Sequence, residues 1–534
     1  MLRLMFVTLV MLLCLHTSLS IAAPAADIAA SVQPPLYAIY EVRQFAPLWL
    51  DNGKPSARAS EAITVISQAA DDGLDTSDYD LPALRQQLET LLQQPGDDRQ
   101  QADFDLALSL TLAAFVEDLS VGRVAPLEPG AKTDVASRQV DLPARLQQIL
   151  TSDNLPAAVA AARPALPPYH ALRQLLVQYR ALAAQYPQAP ALPPLPAKKL
   201  EPGTAWDGVH QLADWLVILG DMPAAANTAQ PPLMHYDGAT AEGVKHFQLR
   251  HGLTPDGIIG KQTYQNLLVP LPERVKQIEL AMERLRWLDD SIPRRRFILI
   301  NIPQFTLWAY EPDATGAKVI LQMPVVVGKA GKHETPVMNK TLSSLVFNPF
   351  WNVPYSIATK ELLPKLYENP YYLEHENMEL VDTSGRAHGS EVGESELSGI
   401  VLGEYRIRQR SGEKNALGQL KFVFPNDDAI YMHDTPSKKL FARERRDFSH
   451  GCVRLGNPTA LALFALKTQG EWDEQLLQAK ISASKDQHLA LAEKMPVLLL
   501  YFTANVDAEG NALFLPDIYA RDAKLTAALT RRRK

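Results

Sequence analysis

Tyr431 to Arg454, YMHDTPSKKLFARERRDFSHGCVR, decides how the rest of this chain is read. His433 closes the apolar, strand-like run Ala429-Ile430-Tyr431-Met432, and Cys452 follows nineteen residues later beside Gly451. The only other cysteine, Cys14, lies in an N-terminal stretch with Arg3 ahead of the apolar Leu4 to Leu15 and small residues at Ser20, Ala22, Ala23, Ala25 and Ala26. That order predicts a secretory signal cleaved between Ala22 and Ala26. Its apolar run is shorter than the ~20 residues of a membrane span, so no span is expected in the mature chain, with retention as an anchor the alternative. Bulky Leu12 and Leu13 speak against lipidation of Cys14. Cleavage would leave one unpaired thiol in an exported protein, where cysteines normally pair.

Two readings of Cys452 stand side by side. A free cysteine is commonly a small buried apolar filler. Ser449-His450-Gly451 and Arg454 instead predict a polar turn. Asn457 and Pro458 then start a helix carrying Leu461, Leu463, Phe464 and Leu466, closed by Gly470. A thiol shortly before a helix start lies near N–H groups able to take an oxyanion. With an ordinary pKa of about 8.5, it needs a base or a cation to act at neutral pH. His433 and His450 are the candidates, and His450 shares the thiol's face only if the segment is extended. Zinc would need three or four ligands; with no HExxH and no paired cysteines, no metal is expected.

His433 followed by Ser449-His450-Gly451-Cys452-Val453-Arg454 resembles the signature of the L,D-transpeptidase catalytic domain (YkuD-like), whose members cross-link or modify bacterial peptidoglycan. The flanking segments resemble the large, multidomain YcbB-like branch over roughly 296 to 502. They are Asn348-Pro349-Phe350-Trp351-Asn352-Val353-Pro354, Asn415-Ala416-Leu417-Gly418, Lys421-Phe422-Val423-Phe424-Pro425-Asn426 and His433-Asp434-Thr435. The resemblance implies that Cys452 attacks the amide before the terminal D-alanine of a tetrapeptide stem. The resulting thioester passes to the side-chain amine of a second stem, making a 3-3 cross-link. It implies His433 as the base, its ring held by a backbone carbonyl such as that of Asp434. Gly451 and Cys452 N–H groups are the oxyanion candidates, with Ser449 and His450 in support. Arg454 orients the loop or binds a substrate carboxylate, and Tyr431, Trp351 and Asn352 line the cleft or pack in the core. No cofactor is implied. Peptidoglycan stem peptides are the expected donor and acceptor, peptidoglycan synthases the expected partners, carbapenems the expected inhibitors, and the periplasm the expected location. An L,D-carboxypeptidase of the same chemistry and a non-catalytic wall-binding scaffold are the alternatives.

The expected fold class is multidomain α+β. A length of 534 residues suggests three or four domains, and a net charge of −7 argues against a nucleic-acid surface. After the signal (1–25), helical spacing recurs at Ser60–Ala70, Leu81–Leu92, Phe104–Val116 and Ala171–Ala184 within a helical scaffold over 34–185. Phe45-Ala46-Pro47-Leu48-Trp49 and Gly122-Arg123-Val124 resemble the same branch there. A proline-rich connector covers 186–203. Three short helices are expected in 204–270, at Trp206–Leu219, Thr240–Arg250 and Gln262–Leu268. Phe247-Gln248, Gly252-Leu253 and Asp256-Gly257-x-x-Gly260 resemble the peptidoglycan-binding type 1 domain; an inert spacer is the alternative. A connecting helix (271–295) leads to a β-rich catalytic domain (296–502) with a hairpin about Ile302-Pro303-Gln304 and strands at Val319–Val327 and Pro496–Phe502. The strand pattern stops over 355–398, which the branch resemblance implies is a lid. Residues 503–534, with a turn at Asp507–Asn511 and the basic end Arg531–Lys534, are expected as a tail.

Overall fold

The computed structural model describes residues 24–32, 34–126, 133–134, 138–224, 235–236, 238–314, 316–483 and 486–532. The expected signal through residue 23, with Cys14, lies outside them, as do most of 225–237 and the last two basic residues. No helix among the described residues is long and apolar enough to cross a membrane.

Alternating apolar residues build the C-terminal half into strands β1 (Phe297–Asn301), β2 (Thr306–Asp313), β3 (Gly316–Gly328), β4 (Val337–Phe347), β5 (Leu420–Val423), β6 (Met432–His433), β7 (Val453–Leu455) and β8 (Gln487–Leu500). Their order is β5-β6-β7-β3-β2-β1-β8-β4, and β4 pairs back onto β5. The wall therefore closes into a barrel and leaves these strands few free edges. Pairs β6–β7 and β1–β8 are parallel; the other neighbours are antiparallel. Leu420, Phe422, Met432, Val453, Leu455, Val325 and Val327 are buried in one continuous core, each worth about 1.5–3 kcal/mol of burial. By the two-residue period, the residues between them face outward.

Residues 355–398 are folded, not a loop. Helices Leu363–Glu368, Tyr372–His375 and Glu394–Leu402 pack with strands Met378–Asp382 and Ala387–Gly389. Those strands join Trp351–Asn352 and Tyr405–Gln409 in a four-stranded antiparallel sheet. Met378 to Val381 is buried at four successive positions, Glu379 included, so burial along this strand does not follow the two-residue period. Glu379 within it is held by Arg408 and by Arg410 Nε at 2.8 Å. The insertion has a core of its own, including Ile357, Leu362, Leu366, Leu373, Leu380, Ile400 and Ile407.

Residues 503–534 are no loose tail either. Ala504–Val506 and Ala512–Phe514 form a hairpin about the expected turn, the helix Arg521–Arg532 follows, and Phe514, Tyr519 and Arg521 are buried.

The chain divides into two compact units. The first is helical, with Tyr37–Val42, Ala57–Ser67, Leu81–Gln93, Leu142–Thr151 and Leu155–Ala160. Buried Asp105 ties it together by accepting the Trp49 N–H (2.7 Å), the Leu48 N–H (3.1 Å) and the Tyr40 hydroxyl (2.5 Å). Arg58 satisfies the Ile149 and Leu150 carbonyls at the end of Leu142–Thr151 (3.0 and 2.8 Å). The second unit holds the barrel, its insertion and the three expected small helices, Val209–Leu219, Gly238–Arg250 and Lys261–Leu267. Gln248 braces the glycine-rich turn, donating to Asp256 (3.0 Å) and the Ile258 carbonyl (2.9 Å) and accepting from the Gly257 N–H (2.8 Å). The helix Leu271–Arg286 starts with proline and Glu273 and ends with Arg284 and Arg286, matching its dipole at both ends. The protein is multidomain α+β: a helical N-terminal region, a small helical unit and a β-rich C-terminal part.

Candidate active site

Neighbouring strands align the site on the outer face of the barrel. Lys421 pairs with His433 across β5–β6, and His433 with Arg454 across β6–β7. Two residues earlier, Tyr431 and Cys452 continue that face, joined where the Val453 N–H donates to the Tyr431 carbonyl (3.1 Å). The apolar run before His433 is a strand only at Met432–His433; Ala429 has φ 54°, which bends the chain there. Lys421, Tyr431, His433, Cys452 and Arg454 line one cavity of about 670 Å³ together with Trp351 and Asn352.

His433 is buried. Its Nδ1–H donates to the Asp434 carbonyl at 2.5 Å, which leaves Nε2 as the free lone pair. Asp434 is fixed in turn: its N–H donates to the Leu420 carbonyl (2.9 Å), and its carboxylate accepts the Gln419 N–H (3.0 Å) and Lys438 Nζ (2.5 Å). Burial, then the Arg454 charge, hold the His433 pKa down at about 3. The imidazole is therefore neutral at physiological pH.

Cys452 is half-buried and unpaired, and its thiol donates to the Ala429 carbonyl at 3.8 Å. Burial pushes its pKa above that of an ordinary thiol, while Tyr431, Lys421 and Arg454 pull the other way. In this ground state no hydrogen bond joins it to His433 among the described residues. The Ser449 hydroxyl clamps the turn, donating to the Cys452 carbonyl (2.5 Å) and accepting the Gly451 N–H (3.2 Å). Thr335 donates to the Gly451 carbonyl (2.7 Å) from below. Gly451 has φ +114°, and a Cβ there would meet Ile430 at 3.0 Å. Its N–H is thus engaged and is not a free oxyanion donor, contrary to the sequence expectation; no described residue accepts the Cys452 N–H. β7 also stands between Cys452 and the helix Pro458–Leu466, so that donor belongs to the turn and not to a helix start.

The same turn swings His450 away from the two-residue alternation. Its Nε2 meets Glu361 Oε1 at 2.6 Å, and its ring lies 4.5 Å from that of His333. The half-buried Arg454 has no ion pair among the described residues, and its Nε has no protein partner. Sequence reasoning missed Lys421 as a site residue. Its signal was a cation placed between buried Leu420 and Phe422, where alternation aims it outward; its Nζ lies 3.8 Å from the Tyr431 ring centroid. It also missed the grouping of His333 and Glu361 with His450, residues too far apart in the chain to form a motif.

Three families match this chain: the Scaffold domain over residues 34–176, the "Putative peptidoglycan binding domain" over 207–267, and the L,D-transpeptidase catalytic domain (YkuD) over 295–472. A Haemophilus influenzae protein described as "Putative L,D-transpeptidase" is 30% identical over 383 residues, covering 67% of this chain and 75% of that protein. Among solved structures, Bd1075 of Bdellovibrio bacteriovorus is 16% identical, with 44% of this chain and 56% of that one covered at a TM-score of 0.16. A fused Zn-dependent amidase/peptidase/peptidoglycan-binding domain-containing protein of Clostridium acetobutylicum is 13% identical, with 57% and 99% covered at a TM-score of 0.15. At such TM-scores neither likeness bears on the fold or chemistry of this chain. The catalytic-domain match and the identity over most of both proteins carry one conclusion: the chain belongs to the L,D-transpeptidase family.

Proposed function

We propose that this protein is an exported, wall-associated enzyme that forms 3-3 cross-links in peptidoglycan through a thioester on Cys452. The observation that carries this reading is a neutral, carbonyl-anchored imidazole sharing one barrel face and one cavity with an unpaired thiol. His433 Nε2 takes the thiol proton as Sγ attacks the carbonyl carbon between the third stem residue and the terminal D-alanine. The Cys452 N–H donates to the developing oxyanion, a contact whose loss typically costs about 3 kcal/mol of barrier. Collapse breaks the C–N bond, and the imidazolium returns its proton to the leaving D-alanine amine. The side-chain amine of a second stem then attacks the thioester carbonyl, passes its proton to Nε2, and the thiol is regenerated. Arg454, with no ion pair among the described residues, and Lys421 on the other side of His433 supply positive charge for stem carboxylates. The insertion, which contributes Trp351 and Asn352 to the cavity through its sheet, serves as the substrate lid, and residues 204–270 hold the enzyme on the wall.

Cys452→Ser tests this directly. Digested cell wall from cells relying on that variant should lack bonds between third-position residues while the protein stays folded by circular dichroism. Normal cross-link levels would remove the thiol from the reaction. Product analysis with and without an acceptor peptide separates transfer from hydrolysis: free tripeptide formed at equal rate in both would make the enzyme a carboxypeptidase.

A further inference from the structure

In the cavity that holds the thiol, three side chains from three separate segments converge. His333 comes from the loop between β3 and β4, Glu361 from the π-helical segment Ala358–Leu362 of the insertion, and His450 from the turn before β7. One ligand atom of each lies within 4.8 Å of the other two. The carboxylate is 2.6 Å from His450 Nε2, and the two imidazoles are 4.5 Å apart. An exposed Glu361–His450 pair alone contributes little to stability and gives no reason for a second imidazole facing it. Two imidazoles and a carboxylate are a donor set suited to zinc, with a fourth position left for water, whereas calcium and magnesium take oxygen ligands. Zinc bonds of about 2.0–2.1 Å set tetrahedral ligand atoms about 3.3 Å apart, so the donors need to draw in by about 1.5 Å at most. Glu361 and His450 are both exposed enough to move that far.

We propose that His333, Glu361 and His450 form a binding site for a divalent transition metal of the zinc class, and that the bound ion latches the insertion to the turn carrying Cys452. The insertion has its own core and sheet, so a bond at Glu361 restrains it as a body. Both histidines belong to loops anchored on the barrel: Gly451, next to His450, accepts from Thr335 of the His333 loop (2.7 Å). All three ligands line the cavity that holds the thiol, so a closed latch narrows the path to it. Zinc would then slow exchange at the active site without touching its chemistry.

The test is a zinc titration of the full chain against a chromogenic chelator, for the wild type, His333→Ala, Glu361→Gln and Cys452→Ser. Wild type and Cys452→Ser should each take up one equivalent with equal affinity, and His333→Ala and Glu361→Gln should bind about 100-fold more weakly. Cobalt in place of zinc should give tetrahedral ligand-field bands without sulfur-to-metal charge transfer. Loss of binding in Cys452→Ser would assign the ion to the thiol and overturn the site. So would unchanged affinity in both ligand variants, or no stoichiometric uptake by the wild type. Melting curves without metal guard against misfolding, and Glu361→Gln, on an exposed side chain, carries the comparison should His333→Ala unfold. The latch is read separately: zinc should slow alkylation of Cys452 by a bulky maleimide at least about tenfold in the wild type and leave Glu361→Gln unaffected. An equal rate with and without bound zinc would overturn it. These readouts need no cross-linking activity, so their failure is distinct from failure of the proposed function.

Discussion

The barrel wall that carries His433 and Cys452 and the insertion that faces it are held together differently. Behind the site face, the wall's residues run into the large core shared with β1, β2 and β8, and its turns are clamped by Ser449, Thr335 and Asp434. The insertion packs on eleven buried apolar residues of its own and exposes Tyr355, Tyr367, Tyr371 and Leu402. A small separate core opens at lower cost than a shared one. The difference teaches that the thiol and imidazole are positioned by a wall tied into the large core, whereas the insertion, which the proposed function makes the substrate lid, has only a small core of its own.

That division can be tested by damaging each side in turn. The largest effect is expected from His433→Ala, which should slow acylation of Cys452 by a carbapenem about 10²–10⁴-fold, read by mass spectrometry of the adduct. Full-rate adduct formation would take His433 out of the wall's chemistry. Next, Leu373→Ala removes a fully buried side chain from the insertion's core and should destabilise that part by about 2–5 kcal/mol. Cross-linking should drop at least about tenfold, while alkylation of Cys452 by iodoacetamide keeps its rate because the wall is untouched. Equal loss of both would mean that the two regions are one cooperative body.

A smaller contrast uses two glycines of left-handed backbone. Gly418 in the wall has φ +61°, and an added Cβ would lie 2.3 Å from the Asp434 carboxylate that steadies the His433 segment. Gly418→Ala should cost about 1–3 kcal/mol and slow acylation several-fold. Gly403 ends an insertion helix at φ +81° with nothing within 4 Å of its added Cβ. Gly403→Ala should cost about 1 kcal/mol in thermal melts and leave acylation unchanged.

The pH profile is the finest probe. His433 is already neutral above about pH 3, and the thiol pKa is raised by burial. Alkylation should therefore climb with pH past neutrality, with no inflection near 6.5; a plateau at pH 7 would indicate a thiolate–imidazolium pair instead. For stability the sign follows from proton counts. Between the folded value of about 3 and the ordinary 6.5, the unfolded chain binds the proton and the folded one does not. The contribution of His433 is thus complete above about 6.5 and is lost as pH falls toward 3.

Much of this site was legible because residue type alone marked it. A thiol left alone if the expected signal is removed, a histidine at a strand end and a glycine beside the thiol each call for an explanation before any fold is known. Less was legible where the signal depends on packing. Met378 to Val381 is buried on both faces, Glu379 included, which no sequence period announces, and β6 is short because Ala429 turns the chain just before it. The expected tail offered no cue that Tyr519 reaches the Gly328 carbonyl and accepts the Thr335 N–H, bracing the loop under Gly451.

The sequence by itself determined the elements and the groups available: apolar periods set helices and strands, and Cys452 and His433 are the residues on which the proposed reaction rests. Only the tertiary structure decided which groups meet. Closure of the barrel brings Lys421, His433 and Arg454 side by side. Folding of the insertion sets Glu361 against His450 and His333, and the Ser449 clamp leaves the Cys452 N–H without a described acceptor while engaging that of Gly451. The reason is physical. Periodicity along a chain records which face a residue takes, whereas contacts between distant segments depend on strand register and loop closure, which no local pattern encodes.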